Sequence, residues 1–181
     1  MEIEVRILDV NLESIREKIL NNNGVLVKKE NQINKLFDFS DRKLLNEGGY
    51  ARIRIIEDLI SNENKIYMTV KKRISCEQDK YKVMDEKEIE ISDGKIGEEI
   101  FKSLCLYETT VIKKYRESYK ILNTLVEIDI NDKDFYPNPY IEIEGEDKED
   151  IEKVVNLLGY KMEDTTSKSI FDIIRERKEL Y

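Results

Sequence analysis

The sequence contains no histidine. That excludes every Ser-His-Asp or Cys-His nucleophile arrangement and every zinc or iron site held by imidazole. Neither a Gly-x-x-x-x-Gly-Lys-Ser/Thr loop nor a Gly-x-Gly-x-x-Gly turn occurs, so a glycine-rich cradle for phosphate is not supported. Cys76 and Cys105 stand far outside a Cys-x-x-Cys spacing and read as free thiols, not as a bridge or a metal pair. No apolar run reaches bilayer-spanning length and the opening residues do not form a charged, apolar signal sequence, which predicts a cytoplasmic protein with no membrane partner. Acidic residues number 39 against 31 basic ones, a net charge of −8, so nonspecific attraction to nucleic acid is disfavoured. Any anion site must be local.

What remains is carboxylate, ammonium, guanidinium and hydroxyl. Such groups suit a hard, oxygen-ligated cation such as Mg²⁺ or Mn²⁺, and they suit phosphate oxygens. Their placement is periodic. In the first seven residues Glu2, Glu4 and Arg6 alternate with Ile3, Val5 and Ile7, so on a strand the charges share one face and the apolar residues the other. One such strand is the ordinary look of a half-solvated sheet. The pattern recurs, however, with charges sorted by sign: Arg52 and Arg54; Lys71 and Arg73, on the parity of Tyr67 and Thr69; Glu88 and Glu90; Glu127 and Asp129; Glu142 and Glu144. Val111 to Arg116 is a less regular member that places Lys114 and Arg116 together with Ile112. A sheet that needs only solubility mixes signs within each strand.

Between these segments, Asn11 caps an expected helix running to about Asn23, with Gly24 as its stop. Val25 to Lys29 and Ile33 to Phe39 read as two strands. Asp41 to Asn46 reads as one helical turn before a Gly48-Gly49 turn. Ser75 to Asp85 reads as an irregular, mobile loop, and Ile96 to Tyr107 as an amphipathic helix. Val111 to Arg116, Tyr119 to Leu122 and Leu125 to Ile130 read as three successive strands, the last two joined by Asn123-Thr124. Pro137 and Pro139 precede the Tyr140 to Glu144 strand. Lys148 to Leu158 and Thr166 to about Arg177 read as helices, the second carrying Lys168 near its start. No repeat, linker or composition shift divides the chain, which predicts a single domain over 1–181.

Fifteen charged residues thus lie on polar strand faces, eight acids and seven bases. On an open sheet they are a salt-bridged surface contributing about 0–1 kcal/mol per pair. In a closed barrel they line a wet interior while the apolar faces point outward, to be covered by helices or by a second copy of the chain in a homodimer. A dry interior is excluded, because desolvating each charge costs on the order of several kcal/mol.

The ordered set resembles the CYTH superfamily, the triphosphate tunnel metalloenzymes, whose first strand carries Glu-x-Glu-x-Lys. Glu2-x-Glu4-x-Arg6 matches with Arg in the Lys position. The likeness continues through Arg52-x-Arg54, Met68-Thr69-Val70-Lys71, Glu88-x-Glu90, Lys114-x-Arg116, Glu127-Ile128-Asp129 and Tyr140 to Glu146. It implies an α+β fold, a closed eight-stranded antiparallel β-barrel forming a tunnel with helices outside. It implies Mg²⁺- or Mn²⁺-dependent chemistry on a triphosphate or nucleotide: hydrolysis of inorganic tripolyphosphate or of an organic triphosphate such as thiamine triphosphate. Conversion of ATP to cyclic AMP and pyrophosphate by a class IV adenylate cyclase is the alternative, and noncatalytic polyphosphate or nucleotide binding a further one. By the same resemblance Glu2, Glu4, Glu142 and Glu144 hold the metal, and Arg52, Arg54, Lys71, Arg73, Lys114, Arg116 and Lys168 bind phosphate. Glu4 and Arg6 are the catalytic candidates, although a guanidinium stays protonated and is a poor base. Glu88, Glu90, Glu127 and Asp129 are expected as ligands or as carboxylates supporting them. Asn34 and Leu36 stand where the family has Asp and Tyr.

Overall fold

Two-residue alternation with charges on one side and isoleucine and valine on the other leaves a sheet with two demands, a polar space on one face and apolar cover on the other. The computed structural model, which describes residues 2–75 and 79–179, meets both by closure. Its strands are β1 (Glu2–Ile7), β2 (Val25–Asp38), β3 (Tyr50–Asp58), β4 (Asn64–Arg73), β5 (Lys82–Glu90), β6 (Tyr107–Ile121), β7 (Thr124–Asn131) and β8 (Tyr140–Gly145). They form a closed barrel in the order β1-β5-β4-β3-β2-β6-β7-β8, every neighbouring pair antiparallel. Helices α1 (Leu12–Asn21), α2 (Lys43–Asn46), α3 (Gly94–Ser103), α4 (Lys148–Leu157) and α5 (Ile170–Glu179) accompany it. Among the described residues no helix is long and apolar enough to cross a membrane.

The outward residues are the core. Val5, Ile7, Val126, Ile128, Ile141 and Ile143 pack beneath Ile15 and Ile19 of α1 and Ile151, Val154 and Val155 of α4. Phe37, Ala51 and Ile53 pack beneath Phe101 of α3, with the Phe37 and Phe101 rings 5.1 Å apart. Capping sets where these helices begin. Asn11 accepts from the Ser14 amide at 2.9 Å, Asp93 from the Lys95 and Ile96 amides, and Asp147 from the Glu149 amide. One glycine is dictated by contact. A Cβ at Gly49 would lie 2.4 Å from the Lys71 carbonyl oxygen, so only glycine lets β3 start against β4 there.

Several expected boundaries move, each for a reason that lies in the closed barrel. Val25 to Lys29 and Ile33 to Phe39 are one strand, β2, because Glu30 and Gln32, which look like a break, face the polar interior. Val111 to Arg116 and Tyr119 to Leu122 likewise merge into β6: Ser118 turns inward to Glu127 at 2.9 Å, and Glu117 accepts from Arg16, Tyr115 and Tyr119 outside. Ten expected strand segments thereby become eight strands. The loop expected from Ser75 to Asp85 is shorter, because β5 already begins at Lys82; Cys76 lies outside the described residues. Helix α3 stops at Ser103, before Tyr107, as Cys105 takes a φ of 62°. The last helix starts at Ile170, not Thr166, since Thr166 and Arg6 exchange backbone hydrogen bonds at 2.8 and 2.9 Å; Lys168 therefore precedes it.

Ile128→Ala removes a fully buried side chain beneath α1 and α4. It should cost about 2–5 kcal/mol, read as a lower urea midpoint at unchanged m-value.

Candidate active site

The inner faces enclose a cavity of about 620 Å³. Its most tightly knit wall is formed by β6, β7, β8 and β1. Arg116 is the cross-strand partner of Asp129, and its Nε and Nη2 donate to the two carboxylate oxygens at 2.6 Å each. Lys114 Nζ adds a third donor to Asp129 at 2.7 Å. The same guanidinium reaches Glu142 at 2.8 Å and pairs with Glu127. Glu142 also receives Arg6, whose Nε lies at 3.1 Å. Buried as they are, both carboxyls are held below their ordinary range. Burial raises Asp129, and Arg116 and Lys114 outweigh it; burial raises Glu142, and Arg6 and Arg116 outweigh it, taking it well below. Burial pushes the Tyr140 phenol well up, and the carboxylates of Asp129 and Glu142 push it further, so it stays protonated.

Across the cavity β3 and β4 supply a wall with an excess of cations. Arg52 and Arg54 share the Glu88 carboxylate, with Arg54 at 2.8 and 2.9 Å and Arg52 at 3.2 Å, while Thr69 donates to it at 2.6 Å. Lys71 reaches Glu86 at 3.0 Å, and Arg73 completes the edge of the wall. Burial lowers the Arg54 pKa and the neighbouring Arg52 lowers it further; burial and Arg116 likewise lower Lys114. Like charges held this close favour an added anion, which would relieve both. The Tyr50 phenol is drawn below its ordinary value because Arg52, Lys71 and Lys82 outweigh the effect of burial.

Most of the residues singled out in the sequence meet in this space. Glu4, Arg6, Arg52, Arg54, Lys71 and Arg73 line it, as do Glu88, Lys114, Arg116, Glu127, Glu142 and Glu144. Asp129, with 0 % exposure, lies directly behind Lys114 and Arg116. Two lie elsewhere. The Lys168 side chain is 48 % exposed and pairs with Glu176, while its backbone carbonyl accepts from Arg6. Glu90 has the inward parity of Glu88 but ends β5, beyond the cavity wall, and is exposed. Glu2 starts β1 on the parity of Glu4, with its side chain outside the described residues.

A family model for the CYTH domain matches residues 1–170. The chain belongs to the CYTH family. Members of that family are triphosphatases or adenylate cyclases. Among solved structures, the PH1012 protein of Pyrococcus horikoshii OT3 is 28% identical, with 95% of this chain and 98% of that chain covered at a TM-score of 0.78. HpAC1 of Hippeastrum, a candidate adenylyl cyclase described as having a dominant triphosphatase activity, is 20% identical over 97% of this chain and 96% of its own at 0.70. A candidate adenylate cyclase of Vibrio parahaemolyticus shares 13% identity over 96% and 97% at 0.75. At such identities the latter two speak for the fold alone. No curated protein matches the chain.

CYTH tunnel enzymes use divalent metals, and the inner face of this CYTH barrel carries the oxygen donors that a hard cation takes. Glu4 and Glu144 are cross-strand partners on β1 and β8, next to the Arg6 and Glu142 pair. Among the described residues, no three acidic or thiol side chains are already gathered around one point. Glu4 and Glu142 are instead occupied by neighbouring cations, so an ion at either would enter by displacing an ion pair. The donor chemistry fits.

The CYTH barrel also lines its cavity with residues that the sequence reading did not single out. Lys82 donates to Glu4 at 2.8 Å, and Glu86 sits between Arg52 and Lys71. Glu30 and Gln32 of β2, Tyr50 and Tyr67 face the same space. Counting back from Glu88 by twos reaches Glu86 and Lys82, so the signal was there; the polar run around them masked the strand.

The acid dependence of stability follows from the two depressed carboxyls. A group whose folded-state pKa lies below its unfolded value stabilises fully above the unfolded value and loses that contribution as pH falls toward the folded one. At pH 7 Asp129→Asn should therefore lower unfolding free energy by about 3–5 kcal/mol, since Arg116 and Lys114 lose a buried partner. The gap from wild type should narrow below about pH 4, as measured by urea unfolding at several pH values. A gap that does not change with pH would contradict the ion-pair assignment.

Proposed function

We propose that this protein is a divalent-metal-dependent hydrolase of a triphosphate, either inorganic tripolyphosphate or an organic triphosphate such as thiamine triphosphate. One observation carries the reading: a wall of guanidinium and ammonium groups on β3 and β4 faces paired carboxylates on β1 and β8 across a single cavity. The cations match a chain of phosphates, and the carboxylates match a hard cation such as Mg²⁺ or Mn²⁺. Its length of 181 residues is taken as one such unit, acting in the cytoplasm.

Arg52, Arg54, Lys71 and Arg73 would bind the phosphoryl oxygens from one side, and Lys114 and Arg116 from the other. Glu4 and Glu144, with Glu2 and Glu142 on the same two strands, would hold the cation, which neutralises charge on phosphoryl oxygens when bound. Fixing the phosphate chain leaves its terminal phosphorus open to a water in line with the bond that breaks. As the water oxygen bonds to phosphorus and the bridging oxygen leaves with the shortened chain, the water's proton passes to a phosphoryl oxygen of the departing orthophosphate and negative charge grows on the bridging oxygen. The fixed cations stabilise it without reorganising. Arg6 contributes charge and orientation but does not take the proton, because Glu142 and Glu4 hold its already strong base in the protonated form against the effect of burial. Glu88, Glu127 and Asp129 would aim Arg52, Arg54, Arg116 and Lys114.

Incubation with Mg²⁺ or Mn²⁺ and tripolyphosphate, thiamine triphosphate or ATP distinguishes the chemistries. Phosphate release supports hydrolysis. Cyclic AMP and pyrophosphate would make the protein a class IV adenylate cyclase, in which a ribose hydroxyl attacks the α-phosphorus, and binding without turnover would make it a polyphosphate or nucleotide sensor. Glu4→Gln should abolish turnover while circular dichroism stays unchanged; an intact rate would remove Glu4 from the site. Arg54→Ala should lower kcat/KM about 10²–10³-fold, the range for removing a charged contact to a developing anion.

A further inference from the structure

Lys82 stands where the two walls meet. Its Nζ donates to Glu4 Oε1 at 2.8 Å, and the two side chains are only 10 and 7 % exposed, so little water competes. The residues are cross-strand partners on β5 and β1. Glu4 is in turn the partner of Glu144, and Arg6 approaches its carboxylate at 3.4 Å. On the other side, the Tyr50 phenol responds to Lys82 together with Arg52 and Lys71, which places this ammonium within electrostatic reach of the phosphate-binding wall. Glu86, four residues along β5 on the same face, is already committed to Lys71 and Arg52. Glu4 is therefore the carboxylate that holds Lys82 in the absence of ligand.

We propose that Lys82 is an exchangeable counter-ion. It neutralises Glu4 while the cavity holds no ligand, and it turns to the phosphate chain when a divalent cation takes over that carboxylate. The inference rests on the triphosphatase reading above. A buried carboxylate keeps one counter-charge throughout, and the ammonium is never left without an anion, so neither half of the exchange exposes a bare buried charge. Lysine suits the part: its flexible stem carries three donors that reorient freely, whereas a guanidinium fork is tied to one plane. The consequence is thermodynamic. Metal binding releases a cation toward the phosphates and phosphate binding draws that cation off Glu4, so each ligand strengthens the other by the same factor.

The test is a pair of titrations on wild type and Lys82→Met: free Mn²⁺ followed by electron paramagnetic resonance, and imidotriphosphate, a nonhydrolysable analogue, followed by calorimetry at fixed Mn²⁺. Without its competitor, Glu4 in Lys82→Met should bind Mn²⁺ about tenfold more tightly when Mn²⁺ is alone, while the analogue should bind about tenfold more weakly, a charged hydrogen bond each way. A purely structural lysine would weaken both. Lys82→Gln keeps a donor to Glu4 without the charge and carries the same expectation if Lys82→Met melts early; Lys82→Arg should retain the mutual strengthening in reduced form. Mn²⁺ affinity unchanged or weaker in the folded variants overturns the exchange. Wild type that binds and hydrolyses while Lys82→Met matches it in both titrations rejects the inference alone, and wild type that binds neither ligand rejects the functional reading with it.

Discussion

Charges of like sign cannot be crowded into a cavity of this size unless each is given a counter-charge within the protein, and the barrel is built around that requirement. Asp129 is its clearest case. With no exposure to water, it takes Arg116 through both oxygens and Lys114 through one. Arg116 then extends to Glu142 and Glu127, and Glu142 to Arg6, so one connected set of charges spans four strands. Each member would be costly to bury alone; linked, they satisfy one another. Deleting one leaves its partners uncompensated, and for that reason the ion pairs hold the cavity's cations in place as well as the strands.

This arrangement gives the interior a direction. A two-residue period gives β3 and β4 a cationic stretch of Arg52, Arg54, Lys71 and Arg73, and gives β7 and β8 an acidic one of Glu127, Asp129, Glu142 and Glu144, while β1 and β5 carry both signs. The two single-sign stretches stand on opposite sides of the barrel, and a metal-bound polyphosphate has the same separation of charge. On the proposed function, binding would be an exchange in which phosphates replace Glu86 and Glu88 at the guanidiniums and a cation replaces ammonium at Glu4. Such an exchange would leave the number of buried charge contacts nearly constant, so the protein would need little reorganisation to admit a highly charged ligand.

Much of this was legible because a strand that faces a polar interior reads as strictly alternating, and the inward parity of Arg52, Arg54, Lys71, Glu127 and Glu142 followed from it. Closure into eight strands came from resemblance to a family, since alternation alone is equally consistent with an open sheet. The boundaries failed where polar residues were taken for breaks. Glu30-Asn31-Gln32 and Glu117-Ser118 interrupt nothing, because a wet barrel interior accepts them and Arg16 receives Glu117 outside. Lys82 was missed for the same reason. Lys168 shows the opposite case: its sequence position reads as near a helix start, yet the bridge between Thr166 and Arg6 delays the helix to Ile170, and the side chain pairs with Glu176. Long-range pairings of this kind have no local signature.

Strand parity also separates two kinds of consequence. Outward positions such as Ile53, Ile128 and Ile143 pack under helices and touch no ligand group, so changes there act on folding. Inward positions on β3, such as Arg54, are paired at one carboxylate near the edge of the network, and on the proposed function changes there would act mainly on binding. On the proposed function the residues around Asp129 would do both, because the side chains that aim the cavity's cations are the same ones that neutralise them. A barrel that stores its binding energy in resident ion pairs therefore ties the stability of one wall to the affinity of the whole cavity. Glu4 escapes that tie more than Asp129 does, since its main partner is a single flexible lysine. Such a carboxylate is the one best placed to change partners when a ligand arrives.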